Sequence, residues 1–240
     1  MHLSGAELAL ALVTVFAGAF VQGGVGFGVN ILASPLLALV EPEAVPATLV
    51  LSAIPLAVGM VVREHRHVDR KGLRWLLVGR VPGTALGAWL VAVLAADSLS
   101  VAVGALVLVS VAMAVAAPPL RVTPGSALTI GAVSGAMGTT AAIGGPPVAL
   151  LYQHHPGPVL RSTSGAIYVV GTVLSLAALA VAGQVTGDHV RLALVLIPAI
   201  VTGLGLSTLV RQHLDAGWLR PAVLAVATLA GLATLLKGLL

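Results

Sequence analysis

The residues best suited to chemistry are neutral polar side chains inside otherwise apolar segments. Gln22 and Asn30 lie in one glycine-rich stretch, and Ser134, Thr139 and Thr140 lie in another. Side-chain donors and free backbone N–H groups can replace part of the hydration shell of an ion, as they do in channels and transporters. These residues therefore predict an anion-binding site, although hydrogen bonds between packed helices would also explain them.

Arg80 adds a positive charge to this set. It lies one to two turns inside a predicted membrane span, in the segment LLVGRVPGTALGAWL. An ionisable residue within a span is a functional candidate by default. The alternative is that its long side chain extends to the lipid headgroups, only six residues beyond Arg74.

The polar residues are positioned by a segment that cannot form one straight helix, GAVSGAMGTTAAIGGPPVALLY at residues 131–152. Glycine is a weak helix former, and each proline removes a backbone N–H group. The residues that interrupt the helix are Gly138, Gly144, Gly145, Pro146 and Pro147. We expect a helix that breaks between Gly138 and Gly145 and restarts with prolines in its first turn, directing its positive end and free N–H groups at a cavity.

A related pattern occurs earlier, in GAFVQGGVGFGVNILASPLLAL at residues 18–39. An offset of 112 residues aligns three pairs: Gly23 with Gly135, Gly26 with Gly138, and Pro35 with Pro147. Interrupted apolar segments at matching places in two halves indicate the binding site of a transporter. The alternative is that the small residues only allow close helix packing.

The repeat continues with an offset of 116, which aligns Pro82 with Pro198 and places Leu196 opposite Arg80. We therefore predict two membrane repeats, residues 1–117 and 118–240, within one membrane domain.

Composition makes a soluble domain of this size implausible. Of 240 residues, 58% are hydrophobic and 8% are charged, and the mean hydropathy is +1.09. Because a span needs roughly 20 apolar residues, the chain has room for about eight. We predict an all-α polytopic membrane protein with two four-helix repeats, the first helix of each broken at its Gly/Pro motif.

The basic residues lie in the predicted loops, which indicates membrane orientation and not nucleic-acid binding. With eight simple crossings and Arg80 left aside, eight basic residues fall on one face and three on the other. Both termini and the loop Arg63–Arg74 are then expected in the cytoplasm. If the broken spans are re-entrant, the number of crossings changes, and the choice between parallel and inverted repeats stays open.

Several functional classes receive little support. The eight acidic residues lie at span ends or in loops, which argues against a cation pump. The chain has no cysteine, and its paired histidines (His65 with His67, His154 with His155) lie in loops, so no metal site is expected. No nucleotide-binding or hydrolase motif occurs, so we expect no enzyme, no catalytic residue and no cofactor.

The motifs GGVGFGVNILASP and SGAMGTTAAIGGPP, with the tract HVDRKGLRWLLVGRVPGTALGAWL, resemble those of the TauE/SafE sulfite-exporter family of membrane permeases. The segment GQVTGDHVRLALVLIPAIVTGLGLS echoes that tract in the second half, so the resemblance covers nearly the whole chain. It implies a multi-span permease of the bacterial inner membrane for sulfite, sulfoacetate or other small organic anions.

Together these observations predict a secondary transporter of a small anion, working by alternating access around a mid-membrane site. An anion channel and a non-transporting membrane interaction protein remain alternatives. The expected partners are the anion and the bilayer, and a homodimer is compatible with the sequence. The expected substrate-binding residues are Gln22, Gly23, Gly26, Asn30, Arg80, Gly135, Gly138, Thr139, Thr140, Gly144, Gly145 and Pro146.

Overall fold

The computed structural model describes residues 4–25, 29–63, 65–116, 120–214 and 219–240. Every regular element in these ranges is helical. The helices are α1 (Gly5–Val25), α2 (Val29–Val40), α3 (Ala47–Ser52), α4 (Ile54–Arg63), α5 (Arg70–Val93), α6 (Ala96–Ala116), α7 (Pro124–Thr140), α8 (Gly145–Tyr152), α9 (Gly157–Val181), α10 (Gly187–Leu214) and α11 (Leu219–Leu239), with a short 3₁₀ turn at Pro42–Ala44.

Six of the described helices are long and apolar enough to cross a membrane, namely α1, α5, α6, α9, α10 and α11. The apolar helix α2 and the interrupted pair α3–α4 are shorter. Many large apolar side chains point away from the protein, including Trp89, Val173 and Leu229. This combination defines a polytopic helical membrane protein.

The break in the second glycine-rich stretch lies where the sequence predicts it, between the end of α7 at Thr140 and the start of α8 at Gly145. The two helices lie side by side and not end to end. Ser134 Oγ of α7 donates a hydrogen bond to the Gly144 carbonyl at 2.7 Å, and Ala127 near the start of α7 shares a core with Tyr152 at the end of α8. The chain therefore reverses at residues 141–144, and we call α7–α8 the second hairpin.

The first glycine-rich stretch also reverses, between α1 and α2. A Cβ atom on Gly18 would lie 2.8 Å from the Cα of Val29. In a straight helix those residues would be separated by about 16 Å along the axis, at about 1.5 Å per residue. We call α1–α2 the first hairpin.

The hairpins determine which helix ends lie together. Helices α5 and α7 run parallel, since Gly79 meets Leu128 and Gly83 meets Ala132. Asp69, just before α5, accepts a hydrogen bond from the Tyr152 hydroxyl at the end of α8. Its own N–H donates to Thr163 near the start of α9. We call this end of the bundle the basic face.

The opposite face gathers the remaining ends. Helix α10 runs parallel to α1, since Leu196 lies beside Leu10 and Gly203 beside Phe16. His189 near the start of α10 contacts the Glu43 carbonyl in the 3₁₀ turn, and Lys237 near the end of α11 donates to the Leu39 carbonyl at the end of α2.

This topology corrects the expected placement of the chain ends. The start of α1 and the end of α11 lie at the opposite face from the Arg63–Arg74 loop. The prediction that both termini share a face with this loop is therefore wrong. The physical reason is that each broken segment returns to the face it entered from and does not cross the bundle.

Candidate functional site

The end of α1, the start of α2 and the reversal between α7 and α8 line a cavity of about 80 Å³. Along the helix bundle, the cavity lies at the level of the middle of α5, the break between α3 and α4, and the middle of α9. The described residues that line it are Gln22, Asn30, Ile31, Val50, Ala53, Leu56, Ala57, Arg80, Gly138, Ala142, Ile143, Gly144, Gly145, Pro146, Tyr168, Thr172 and Ser175. Because one water occupies roughly 30 Å³ of liquid, the cavity has room for a small polyatomic ion.

Arg80 places a buried cation in this cavity. Its side chain is 4% exposed, so it does not extend to the headgroups as the alternative interpretation required. Its Nη1 donates to Ser134 Oγ at 2.8 Å, whereas its Nε is buried without a hydrogen-bond partner. No carboxylate in the described part of the chain pairs with it. A buried unpaired charge costs several kcal/mol, so the site favours an anion.

Glycines on neighbouring helices make room for the guanidinium group. Gly171 of α9 packs directly against it, and a Cβ atom on Gly138 would lie 3.0 Å from Arg80 Nη2. A side chain at either position would displace the charged group.

Hydrogen bonds join α2 of the first hairpin to the reversal of the second hairpin. Asn30 Nδ2 donates to the Ala142 carbonyl at 2.8 Å, and Ser34 Oγ donates to the Ala141 carbonyl at 2.6 Å. Ala142 has a φ of +59°, in the left-handed region that costs a residue with a Cβ atom about 1–2 kcal/mol. Asn30 and Ser34 thus join the start of α2 to residues 141–142, and Asn30 Oδ1 is buried and unpaired.

The start of α8 supplies the backbone groups nearest to the cavity. Gly144 is its N-cap and Gly145 its first residue. Since Pro146 and Pro147 have no N–H, the donors at this helix end are those of the two glycines. Gln22 also lines the cavity, and its Oε1 accepts the Val29 N–H at 3.0 Å and so caps α2.

Seven of the predicted site residues line the cavity: Gln22, Asn30, Arg80, Gly138, Gly144, Gly145 and Pro146. Three others face neighbouring helices. Gly135 packs on the backbone of α5 at Arg80 and Thr84, Thr139 hydrogen-bonds to Ser175 at 2.8 Å, and Thr140 Oγ1 lies 3.4 Å from the Gly87 carbonyl.

The two remaining predicted residues, Gly23 and Gly26, follow Gln22 closely in the sequence. Gly23 is within the helix, but its surroundings are not among the described features, and Gly26 lies outside the described residues.

Sequence reasoning missed the contribution of α9, whose Tyr168, Thr172 and Ser175 line the cavity. This helix is unbroken, so no glycine or proline interruption marks it. The spacing of the three residues, four and then three, places them on one helix face and is the signal that was available.

The histidines do not form a metal centre in the described part of the chain, where no group of three or more potential ligands occurs. Tyr152 and His155 are ring neighbours at the basic face, with centroids 5.1 Å apart.

Fold and site together define a polytopic helical membrane protein with a buried, cationic cavity between two helical hairpins. The family model of the Sulfite exporter TauE/SafE family matches residues 10–234, and the chain belongs to that family of membrane permeases. No curated protein and no solved structure matches the chain at a significant level.

Proposed function

We propose that the protein is a secondary transporter of a small anion, sulfite or a small organosulfonate, and that the anion binds in the cavity beside Arg80. The observation that carries this proposal is the buried guanidinium, which has an unpaired Nε and no carboxylate partner. An anion at this position would supply the missing charge and the missing hydrogen-bond acceptor. The name of the family, sulfite exporter, adds the substrate class.

The proposed mechanism is alternating access around the hairpin tips. Three crossings and one re-entrant hairpin in each half would make the repeats inverted, because an odd number of crossings reverses the second half. The packing of the hairpins supports inverted repeats. Helix α7 of the second half packs along α5 of the first half, whereas its counterpart α1 of the first half packs along α10 of the second half. The bond between Asn30 and Ala142 joins positions 112 residues apart, the offset of the repeat.

We further propose that the basic face is cytoplasmic, in the inner membrane of a bacterium. Apart from Arg80, nine basic residues belong to segments at that face, and only Arg191 and Lys237 lie at the other. The chain has no cysteine, so single substitutions give a clean test. Arg66→Cys should react with a membrane-impermeant thiol reagent only after the cytoplasmic side is opened, and Gly187→Cys should react in intact cells.

The test of function is uptake into proteoliposomes. Gly145→Leu should block uptake of radiolabelled sulfite, because a large side chain at the start of α8 would fill the cavity. Gly187→Leu is the matched control, since a Cβ atom there meets nothing within 4 Å. Equal uptake by the wild type and by both variants would refute the cavity as the transport site.

An anion channel is the second candidate, because the same charge and donors would suit a passive pore. A channel predicts unitary currents in a planar bilayer and flux that does not saturate with anion concentration. A non-transporting membrane protein predicts neither current nor uptake. In that case Gly145→Leu would alter thermal stability alone.

A further inference from the structure

A second cavity lies at the basic face, away from the Arg80 site, between the starts of α5 and α7. Its volume is about 560 Å³, and it is lined by residues of both helices and by His155. The two helices touch backbone to backbone from Gly79 and Leu128 inward. We call the cavity between the starts of these two helices the wedge.

Two cations at the mouth of this wedge have no partner. Lys71 and Arg74 are exposed and three residues apart, so they lie on the same side of α5. No side-chain hydrogen bond or ion pair joins either of them to any described residue.

The carboxylate that lines the wedge, Asp69, is already engaged. Its Oδ1 accepts the N–H groups of Lys71 and Gly72, and its Oδ2 accepts the Tyr152 hydroxyl at 2.9 Å. The wedge therefore presents two cations whose charge Asp69 only partly offsets.

Below the cations the wedge becomes apolar. Trp75 is 43% exposed and Val78 is 55% exposed, one and two turns beyond Lys71 on the same side of α5. From the basic face inward along α5, the wedge therefore presents a cation, then an interfacial tryptophan, then an aliphatic side chain. A phospholipid presents the complementary sequence of phosphate, glycerol ester and acyl chain.

We propose that this wedge binds an anionic phospholipid, with its phosphate between Lys71 and Arg74 and one acyl chain along Trp75 and Val78. The choice of a lipid over a soluble phosphate rests on the continuous apolar wall below the cations. The proposal is independent of anion transport, since none of these residues lines the Arg80 cavity.

The test compares nanodiscs that contain phosphatidylglycerol with nanodiscs of phosphatidylcholine alone, using native mass spectrometry to count retained lipids. The double variant Lys71→Gln/Arg74→Gln should weaken phosphatidylglycerol retention about thirtyfold, or about fivefold for each cation removed. The matched control is Arg66→Gln/Arg121→Gln, which removes the same charge from the same face outside the wedge and should change retention less than twofold. Equal losses in the two double variants would show diffuse surface attraction and would overturn the proposal.

A fluorescence measurement on the unmodified wedge does not depend on the double variant. In a Trp89→Phe/Trp218→Phe background, Trp75 is the one remaining tryptophan. Phosphatidylglycerol with brominated acyl chains should quench it more strongly than brominated phosphatidylcholine at equal mole fraction, and glycerol phosphate should not compete. Equal quenching by the two lipids, or competition by glycerol phosphate, would contradict a lipid site.

Discussion

The two halves of the molecule share a pattern of broken helices but differ at one matched position in the long helices α5 and α10. In the first half this position is Arg80, which is buried and contacts the tip of the second hairpin through Ser134. In the second half the matching residue is Leu196, which is fully buried and lines a separate small space with Leu10 and Thr14 instead of the Arg80 cavity. At this matched position the first half therefore carries a buried charge, and the second half carries a buried leucine.

The hairpins differ in the same way. Position 22 in the first hairpin and position 134 in the second match at the sequence offset of 112 residues. Each side chain forms a hydrogen bond within its own hairpin. Gln22 caps α2 at the Val29 N–H, whereas Ser134 connects Arg80 to the Gly144 carbonyl. The hydrogen bond of Gln22 thus stabilises the first hairpin, whereas the hydrogen bonds of Ser134 link the second hairpin to the Arg80 guanidinium.

The largest expected effect comes from giving the first half the residue of the second, with Arg80→Leu. Uptake of sulfite should fall by at least about a hundredfold, which corresponds to about 2.7 kcal/mol of lost charge-assisted binding. The free energy of unfolding should be unchanged or higher, because the variant removes an unpaired buried cation. Arg74→Leu, at the basic face, should leave uptake near that of the wild type. Undiminished uptake by Arg80→Leu would remove the functional difference between the halves.

The next largest effect is expected in the first hairpin. Gln22→Ala leaves the Val29 N–H buried without an acceptor, so the protein should lose about 1–3 kcal/mol of stability. Thermal unfolding in detergent measures this loss, and the exposed Gln153→Ala serves as control. A melting temperature equal to that of the wild type would show that Gln22 does not brace its hairpin.

A smaller effect is expected at the equivalent position of the second hairpin. Ser134→Ala removes the hydroxyl that holds Arg80, so the apparent affinity for sulfite should fall about tenfold, or about 1.4 kcal/mol. The matched control is Ser110→Ala, a buried serine whose hydroxyl donates only within its own helix, to Leu106. If both serine variants bind sulfite equally well, Ser134 does not position the charge.

The smallest effect concerns Ala142, the residue equivalent to Asn30. Ala142→Gly relieves a positive φ and should stabilise the protein by at most about 1 kcal/mol. Ala141→Gly, where φ is −126°, should instead destabilise it slightly, because glycine gains freedom only in the unfolded chain. A loss of stability in both variants would show that the positive φ is not strained.

Much of this arrangement follows from local sequence rules. The glycines and adjacent prolines predicted where α7 ends and α8 begins. A charged residue in an apolar segment pointed to Arg80. Both signals are local, because each needs only a few neighbouring residues of sequence. The reversal of each hairpin did not follow, because a break does not determine the angle between the two helices it separates. Because the angle between the two helices of each hairpin was not predicted, the chain ends were placed at the wrong face.

The helical phase explains why Gly135 and Thr139 do not line the cavity, although they lie close to the break in sequence. Gly135 and Thr139 lie one turn apart on the side of α7 that packs against other helices, whereas Gly138 faces the cavity. Proximity to a break therefore selected residues from adjacent faces of the helix, of which one lines the cavity and the next packs against α5 and α9. The residues of α9 were missed because side chains from an unbroken helix become site residues only through tertiary packing.

The most direct test of the central claim is to locate a bound anion. Selenite is a close analogue of sulfite and scatters anomalously, so crystals soaked in it can be compared with untreated crystals. We predict an anomalous peak within about 4 Å of Arg80 Nε, near the N–H groups of Gly144 and Gly145, within salt-bridge distance of the guanidinium. A peak elsewhere with an empty Arg80 cavity, or no peak at saturating selenite, would contradict the account.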